Sequence, residues 1–323
     1  MKILVTGGLG YIGSNMTSRL LKEKNKVLVL DNLSNSKISV VKKINRVTGK
    51  KFLFYNVDCK NKDKVFRIFN KEKPKLIIHF AGLKSVSESV QKPTLYFEEN
   101  IRSAETILLA MKKFNVKKLI FSSSATVYGD PKYLPIDEKH PKNPTHAYGE
   151  SKLAIEQLIE RVCKEIKNFS IISLRYFNPV GSDNSGLLLD NPKKPTNLFP
   201  NILNVINKKK KYLPIWGSNY KTRDGTALRD YIHINDLIDA HIASISYLKK
   251  RSGYNIFNVG TGKGQTVLEV VKKFKSVNEL KFPTKNMPRR TGDPSELYAS
   301  VKKIHKYLNW KSKCNLSDMC EIK

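Results

Sequence analysis

The stretch Thr6-Gly7-Gly8-Leu9-Gly10-Tyr11-Ile12-Gly13 constrains this chain more than any other. Lys2-Ile3-Leu4-Val5 before it is a short apolar run that reads as a buried strand. Residues 15–24 after it carry Met16, Leu20 and Leu21 at helical spacing, so the glycines mark a strand-to-helix turn. In such a turn Gly7 allows the tight bend, Gly10 lets backbone approach a pyrophosphate, and Gly13 lets the helix pack close to the strand. The helix N-terminus then presents unpaired N–H groups to an anion. Lys26-Val27-Leu28-Val29-Leu30 reads as a second parallel strand and ends on Asp31. That acid falls near the ~20-residue spacing at which a carboxylate meets the adenosine ribose hydroxyls. An acid there favours NAD, because it would repel the extra 2′-phosphate of NADP.

Gly7, Gly10 and Gly13 are spaced G-x-x-G-x-x-G rather than the commoner G-x-G-x-x-G. Glycines alone would suit many turns. Strand, turn, helix, strand and terminal acid in this order are far more specific. The pattern Thr-Gly-Gly-x-Gly-Tyr-Ile-Gly resembles the extended short-chain dehydrogenase/reductase superfamily.

The alternation continues. Strands are expected at 52–57, ending on Asp58, at 75–79, at 118–121 and at 171–174, with a long helix over 94–114 and another carrying Tyr148, Lys152, Ile155, Leu158 and Ile159. Asp58 can reach an adenine amino group or simply be a solvated strand end. Phe80-Ala81-Gly82-Leu83-Lys84 places small residues where backbone can approach cofactor phosphates and ribose; Lys84 is either a ribose ligand or a solvated lysine. His79, at the inner end of an apolar strand, reads as a satisfied core histidine, and Asn100 as a bridge from its helix to the sheet. After Asn178-Pro179 the alternation breaks into a Gly/Pro/Asn/Asp/Ser-rich loop over 181–195. Beyond it, helices are expected at 200–207, 235–249, after Val267 and at 302–308, with strands around Leu213 and at 255–259. The expected fold is α/β: a Rossmann-type doubly wound parallel sheet over 1–178, re-entered around 231–262, with a smaller mixed α/β substrate-binding domain over 179–323.

Composition narrows the class. The 323 residues are 40% hydrophobic, enough for one large domain or two. No apolar run approaches the roughly 18 residues of a membrane span. The chain opens directly on its first strand, without a signal-peptide pattern, and its four cysteines (Cys59, Cys163, Cys314, Cys320) form neither a zinc spacing nor a disulfide framework. A cytoplasmic protein without a metal site is expected. The formal net charge of +31 raises the question of nucleic acid. The lysines, however, are spread along the chain beside many Asn and Ile, and the one dense run is 208–211. No nucleic-acid or membrane partner is expected; a positive field would speed encounter with an anionic nucleotide.

Tyr148-Gly149-Glu150-Ser151-Lys152 sets Tyr and Lys at i and i+4, on one helix face. A phenol titrates near pH 10. An adjacent ammonium, and a positive nicotinamide ring, would favour the phenolate and make Tyr148 a base for a sugar hydroxyl. Lys152 can also hold ribose hydroxyls. Ser124 ends the fifth strand at the carboxyl edge of the sheet, where ligands bind, and can share the proton with Tyr148. Sugar-nucleotide 4,6-dehydratases of this superfamily carry adjacent Asp and Glu just after that serine. This chain has Ala125-Thr126, so elimination of water is unsupported and oxidation at C4 with return of hydrogen remains.

Four segments resemble the UDP-glucose 4-epimerase family. They are Ser122-Ser123-Ser124-Ala125-Thr126-Val127-Tyr128-Gly129, Arg175-Tyr176-Phe177-Asn178-Pro179-Val180-Gly181, Asp224-Gly225-Thr226 with Arg229-Asp230-Tyr231-Ile232-His233, and Pro288-Arg289-Arg290-Thr291-Gly292-Asp293. The resemblance runs from Met1 to Trp310. It implies NAD-dependent 4-epimerisation of UDP-hexoses, with UDP-glucose and UDP-galactose as the pair. Epimerisation of UDP-N-acetylglucosamine or UDP-glucuronate, or dual specificity, stays open. Ser124, Tyr148 and Lys152 would be catalytic. Cofactor contacts would come from Gly7, Gly10, Tyr11, Ile12, Gly13, Asp31, Asn32, Asn35, Ser36, Asp58, Cys59, Phe80, Ala81, Gly82, Lys84, Asn100, Ser122 and Phe177. Substrate contacts would add Lys84, Thr126, Asn178, Asn197 and Leu198. Pro214, Ile215 and Trp216 would line the uracil, Arg229 and Arg290 clamp the diphosphate, and Asp293 meet the uridine ribose. Leu297, just before Tyr298-Ala299, would wall the pocket beside the sugar's C2. Each Arg, read alone, is equally a surface ion-pair partner, and Leu297 equally a core strand residue. The resemblance also implies a homodimer formed through the helices at 94–114 and 148–167. Thr196, Trp216 and Cys59 depart from the family's usual residues, and the chain ends short of its usual C-terminal helix.

Overall fold

The computed structural model describes residues 1–192, 195–290 and 292–323; Thr291 of the fourth motif lies outside the described residues. Its centre is a seven-stranded sheet. The strands are β1 (Lys2–Thr6), β2 (Lys26–Asp31), β3 (Leu53–Asn56), β4 (Leu76–His79), β5 (Lys118–Ser124), β6 (Ser170–Tyr176) and the strand Gly253–Val259. The spatial order runs β3, β2, β1, β4, β5, β6, Gly253–Val259. Every pairing in it is parallel. This is the doubly wound order, whose switch point lies between β1 and β4.

The strands are apolar because both faces are covered. Along β1, Ile3 and Val5 enter one core and Leu4 the other. The first core takes Met16, Leu20 and Leu21 from α1 (Tyr11–Lys22), Ile44 from α2 (Ser39–Thr48), and Leu237, Ile238 and Ile245 from the helix Ile234–Leu248. The second takes Val65, Ile68 and Phe69 from α3 (Lys62–Glu72), Ile107, Leu108 and Met111 from α5 (Pro93–Lys113), and Ile155 and Ile159 from α6 (Ala147–Glu165). Between β4 and α5 lies the short helix α4 (Val86–Gln91).

Local chemistry sets several of these ends. Asn61 caps α3 by accepting from Lys64 N, Ser85 caps α4 by accepting from Glu88 N, and His146 caps α6 by accepting from Gly149 N. The sequence reading assigns no element to 39–48 or 62–72, yet helices form there. α2 buries only Ile44 and α3 only Val65, Ile68, Phe69 and Glu72, too few to mark a clear stripe among so many lysines. α1 also starts four residues earlier than the pattern suggests, because the turn glycines open the helix themselves.

After β6 the chain builds a third, smaller core. It gathers Phe199, Ile202 and Val205 of the helix Leu198–Ile206, Leu213 and Ile215 of the strand Leu213–Trp216, Val270 and Phe274 of the helix Val267–Val277, and Met319 with Cys320. The strand Thr284–Met287 pairs in parallel with Leu213–Trp216. A last helix, Leu316–Cys320, carries an Asn315/Asp318 capping box and is absent from the sequence reading. No described helix is long and apolar enough to cross a membrane.

Candidate active site

A single cleft of about 1240 Å³ runs from the glycine turn, along the carboxyl ends of the sheet strands, to the smaller core. That is the edge where open α/β sheets bind ligands, and its volume exceeds the roughly 300–1,000 Å³ of a pocket for one small ligand.

At one end the glycines have the geometry their spacing predicts for a tight turn and a closely packed helix, with open backbone between. Gly7 has φ +64, and a Cβ there would lie 2.8 Å from Ala81 N. A Cβ on Gly13 would lie 2.1 Å from Gly7 O, so α1 packs onto the turn only because Gly13 has none. At Gly10 a Cβ would meet only Gly7 O, at 3.3 Å, which leaves that backbone open to the cleft. Asp31 is buried and accepts from Leu9 N at 3.0 Å, Leu33 N at 2.9 Å and Ser36 Oγ at 2.7 Å. It therefore ties the glycine turn to the end of β2. Asn32, which also lines the cleft, donates to Asp58 Oδ2 at 3.2 Å. Tyr11, Ile12, Asn35, Cys59, Phe80, Ala81, Gly82, Ser122 and Phe177 line the same cleft. Burial pushes the Cys59 thiol up to about 12, so it is an uncharged wall. This glycine cradle and acid fit NAD.

One cofactor candidate falls outside the cleft. Asn100 does not line the cleft. Its Oδ1 accepts from Leu83 N at 2.7 Å and its Nδ2 donates to Leu83 O and Ser151 Oγ, so it braces the turn after β4 from behind. Lys84 does reach the cleft, but its Nζ pairs with Asp190 Oδ1 at 3.2 Å and lies 5.8 Å from the Tyr11 ring centre. His79 is only half satisfied. Nδ1 bonds Thr6 Oγ1 at 2.7 Å, Nε2 has no partner, and burial holds the ring neutral with a pKa of about 3.

At the centre, β5 and α6 bring Ser124, Tyr148 and Lys152 together. Ser124 Oγ accepts from Thr126 N at 3.2 Å and Thr126 Oγ1 at 3.0 Å. Lys152 Nζ donates to Ser122 O at 2.7 Å and sits 5.9 Å from the Tyr148 ring centre. Burial lowers Lys152 to about 8. Burial also raises the Tyr148 phenol above its ordinary value, and the Ser124 hydroxyl opposes that rise. The expectation that the neighbouring ammonium favours the phenolate is therefore not met by the chain alone, because desolvation of the anion outweighs it.

At the far end stand the substrate candidates. Asn178 lines the cleft, and its Oδ1 is buried without a protein partner, an acceptor left over for a ligand. Asn197 N-caps the helix Leu198–Ile206 without using its side chain, and with Leu198 it lines the cleft. Pro214 and Trp216 do so as well. Ile215 does not: strand alternation turns it into the smaller core, 1% exposed. Arg290 lies across the Trp216 ring at 5.0 Å and donates to Thr196 O at 3.3 Å. Arg229 is ion-paired with Asp293 and also donates to Leu228 O and Pro294 O. Leu297 lines the cleft beside Arg229, its partner in strand register.

Residues 3–260 match the model of the NAD dependent epimerase/dehydratase family. Over 99% of this chain and 96% of its own length, a UDP-glucose 4-epimerase of Yersinia enterocolitica is 43% identical. The chain belongs to the UDP-glucose 4-epimerase family. Among solved epimerases, that of Bifidobacterium longum in complex with NAD+ and UDP superposes with a TM-score of 0.96 at 41% identity, covering 100% of this chain and 96% of that one. The UDP-Glc/GlcNAc 4-epimerase of Campylobacter jejuni gives 0.85 at 34% identity, covering 99% and 96%.

In this epimerase-family cleft several groups escape a reading of motifs. Leu188 O accepts from Asn15 Nδ2, Leu187 O accepts from Lys43 Nζ, and Asp190 holds Lys84, so the loop after Gly181 is pinned across the cofactor end. Lys210 reaches the cleft through Asn201 Oδ1, 2.7 Å away. These contacts join residues far apart in sequence, and an irregular loop carries no periodicity that would announce them.

Proposed function

We propose that this cleft interconverts UDP-glucose and UDP-galactose by NAD-dependent epimerisation at C4. The observation that carries the reading is the convergence of Ser124, Tyr148 and Lys152 midway between the glycine cradle and the Arg229/Arg290 end of one cleft. We read residues 1–178 as the cofactor-binding part and 179–323 as the UDP-sugar part.

The glycine turn and the α1 N-terminus hold the NAD pyrophosphate, Asp31 the adenosine ribose, and Lys152 the nicotinamide ribose. When bound, NAD supplies the acceptor, and later the donor, of the C4 hydrogen. Tyr148 takes the O4 proton at its phenol oxygen, with Ser124 sharing the hydrogen bond, and returns it when the alcohol re-forms. The 4-keto sugar turns within the cleft between the two events. Arg229 and Arg290 anchor the diphosphate, where planar guanidinium groups match phosphate oxygens; Arg229 exchanges part of its pairing with Asp293 to do so. Binding energy from the uridine diphosphate leaves the hexosyl pocket loose enough for rotation.

A second reading is supported by Leu297. It is half-buried in the cleft wall and carries no aromatic ring, which leaves room for a 2-acetamido group. On that reading the enzyme also interconverts UDP-N-acetylglucosamine and UDP-N-acetylgalactosamine. A homodimer through α5 and α6 is supported by Leu109 of α5, an apolar side chain 40% exposed, and by the half-buried Leu158 and Val162 of α6, which pack at the edge of the core. Four free cysteines support a reducing, cytoplasmic setting. Incubation with UDP-galactose, UDP-N-acetylglucosamine and UDP-glucuronate separately, with products resolved by chromatography, tests the assignment. UDP-glucose is expected from the first; no product from any of the three sinks it.

A further inference from the structure

Behind the catalytic residues lies a buried polar cluster that the mechanism above does not use. Tyr148, Lys152 and Glu156 occupy successive turns of α6 on one stripe, so a carboxylate follows the ammonium as the ammonium follows the phenol. Glu156 is 3% exposed and does not line the cleft. Its Oε1 accepts from Ser123 Oγ at 2.6 Å and Arg175 Nε at 2.9 Å, and its Oε2 from Arg175 Nη2 at 2.5 Å. Arg175 is fully buried on β6, in register with Ser123 of β5, and gives its other terminal nitrogen to Tyr128 Oη at 2.8 Å. Tyr128 Oη donates in turn to Asn258 Oδ1 at 2.6 Å.

Two adjacent residues of β5 thus grip two successive turns of α6: Ser122 O holds Lys152 and Ser123 Oγ holds Glu156. The next residue is Ser124 itself. We propose that Glu156, neutralised by Arg175, is a positioning residue that keeps Lys152 charged and fixes α6 against the end of β5. A buried ammonium needs an anion close by, and Arg175 keeps that anion from standing unpaired in the protein interior. Desolvation lowers Lys152, and Glu156 is the group that raises it.

Other titratable groups around the stripe are weaker candidates. His79 on β4 is held neutral, and Tyr96 on α5, Tyr176 on β6 and Tyr254 on the Gly253–Val259 strand are phenols raised by burial. His146, stacked on Tyr148 at 6.1 Å, is lowered by burial, so it too brings no charge at neutral pH. Glu138 and Lys303, which each feel the Arg175 charge, carry opposite charges and act on each other.

This inference deepens the epimerase reading and rests on it for the kinetic readout, so the deciding measurement is independent of turnover. Labelling of Lys152 by acetic anhydride across pH, read by peptide mass spectrometry, gives the titration midpoint of its amine. In Glu156→Gln the midpoint moves down by about half a pH unit or more, because the anion is lost and Arg175 is uncovered. In Glu156→Gln/Arg175→Met it moves down by less, because the more distant cation leaves with the nearer anion. The double variant leaves no guanidinium uncovered and carries the test alone if the single variant does not fold. In the active enzyme the alkaline limb of kcat shifts with the label midpoint while KM for UDP-galactose stays within twofold. A midpoint unchanged in the folded variants, or a uniform loss of kcat with an unmoved pH profile, overturns the proposal. An inactive wild type would instead defeat the epimerase reading, and the labelling result would still decide this one.

Discussion

Lys152 Nζ donates to Ser122 O at 2.7 Å and lies 5.9 Å from the Tyr148 ring centre, with the lysine only 4% exposed. This pairing places a buried charge beside the Tyr148 phenol at a cost to the fold. Burial lowers the amine from 10.5 to about 8. Below pH 8 both the folded and unfolded states hold the proton, and the native state bears the full penalty of a buried ammonium. As pH rises from 8 to 10.5 that penalty falls away. Lys152→Met should therefore be more stable than wild type at pH 7, by about 1–3 kcal/mol, and the advantage should shrink above pH 8. Melting curves of both proteins across pH 7–10.5 check this; a Met variant less stable at every pH would refute it.

Tyr148→Phe should fold, retain NAD and lose nearly all epimerisation. The ring remains to pack against Tyr96 and His146, 6.4 and 6.1 Å away, but the proton acceptor is gone. General acid–base contributions of this kind are about 10²–10⁴-fold. Near-wild-type turnover on UDP-galactose would remove Tyr148 from the mechanism.

Purified protein should carry NAD(H) that survives desalting. Asp31 closes the glycine turn through Leu9 N, and on the proposed reading the same carboxylate faces the adenosine ribose, where it would repel a 2′-phosphate. Nucleotide released by denaturation should be NAD(H) and not NADP(H). Asp31→Ala should release it on a desalting column, since the turn and the ribose lose the same anchor.

Leu297→Tyr should depress turnover of UDP-N-acetylglucosamine far more than that of UDP-galactose. Hydrophobic pocket walls discriminate by about 1–3 kcal/mol per small group, and an outright clash costs more. If wild type does not act on UDP-N-acetylglucosamine, or if the variant loses both activities in proportion, Leu297 is not the selector.

Light scattering at micromolar concentration should report twice the chain mass of 36.9 kDa. Leu109→Glu on α5, outside the core, should shift that mass toward the monomer. A wild-type monomer at this concentration would count against the helical interface.

The amino-acid sequence by itself determined the glycine turn with Asp31 and the Tyr148/Lys152 pair. Gly7, Gly10, Gly13 and Asp31 lie within one βαβ unit, and Tyr148 and Lys152 within one helical turn, so local geometry places them without help from the rest of the chain. All seven strands of the central sheet and the long helices were legible for the same reason: their apolar periods are local. Only the tertiary structure decided the rest. Strand alternation, set by pairing with Thr284–Met287, sends Ile215 inward and Trp216 to the cleft. Asn100 turns to Leu83 because α5 docks beside the turn after β4, and Arg229 meets Asp293 across 64 residues of chain. Glu156 shows both sides of the division. Its place one turn after Lys152 was readable, but its role depends on Arg175 and Ser123, which only the pairing of β5 with β6 brings beside it.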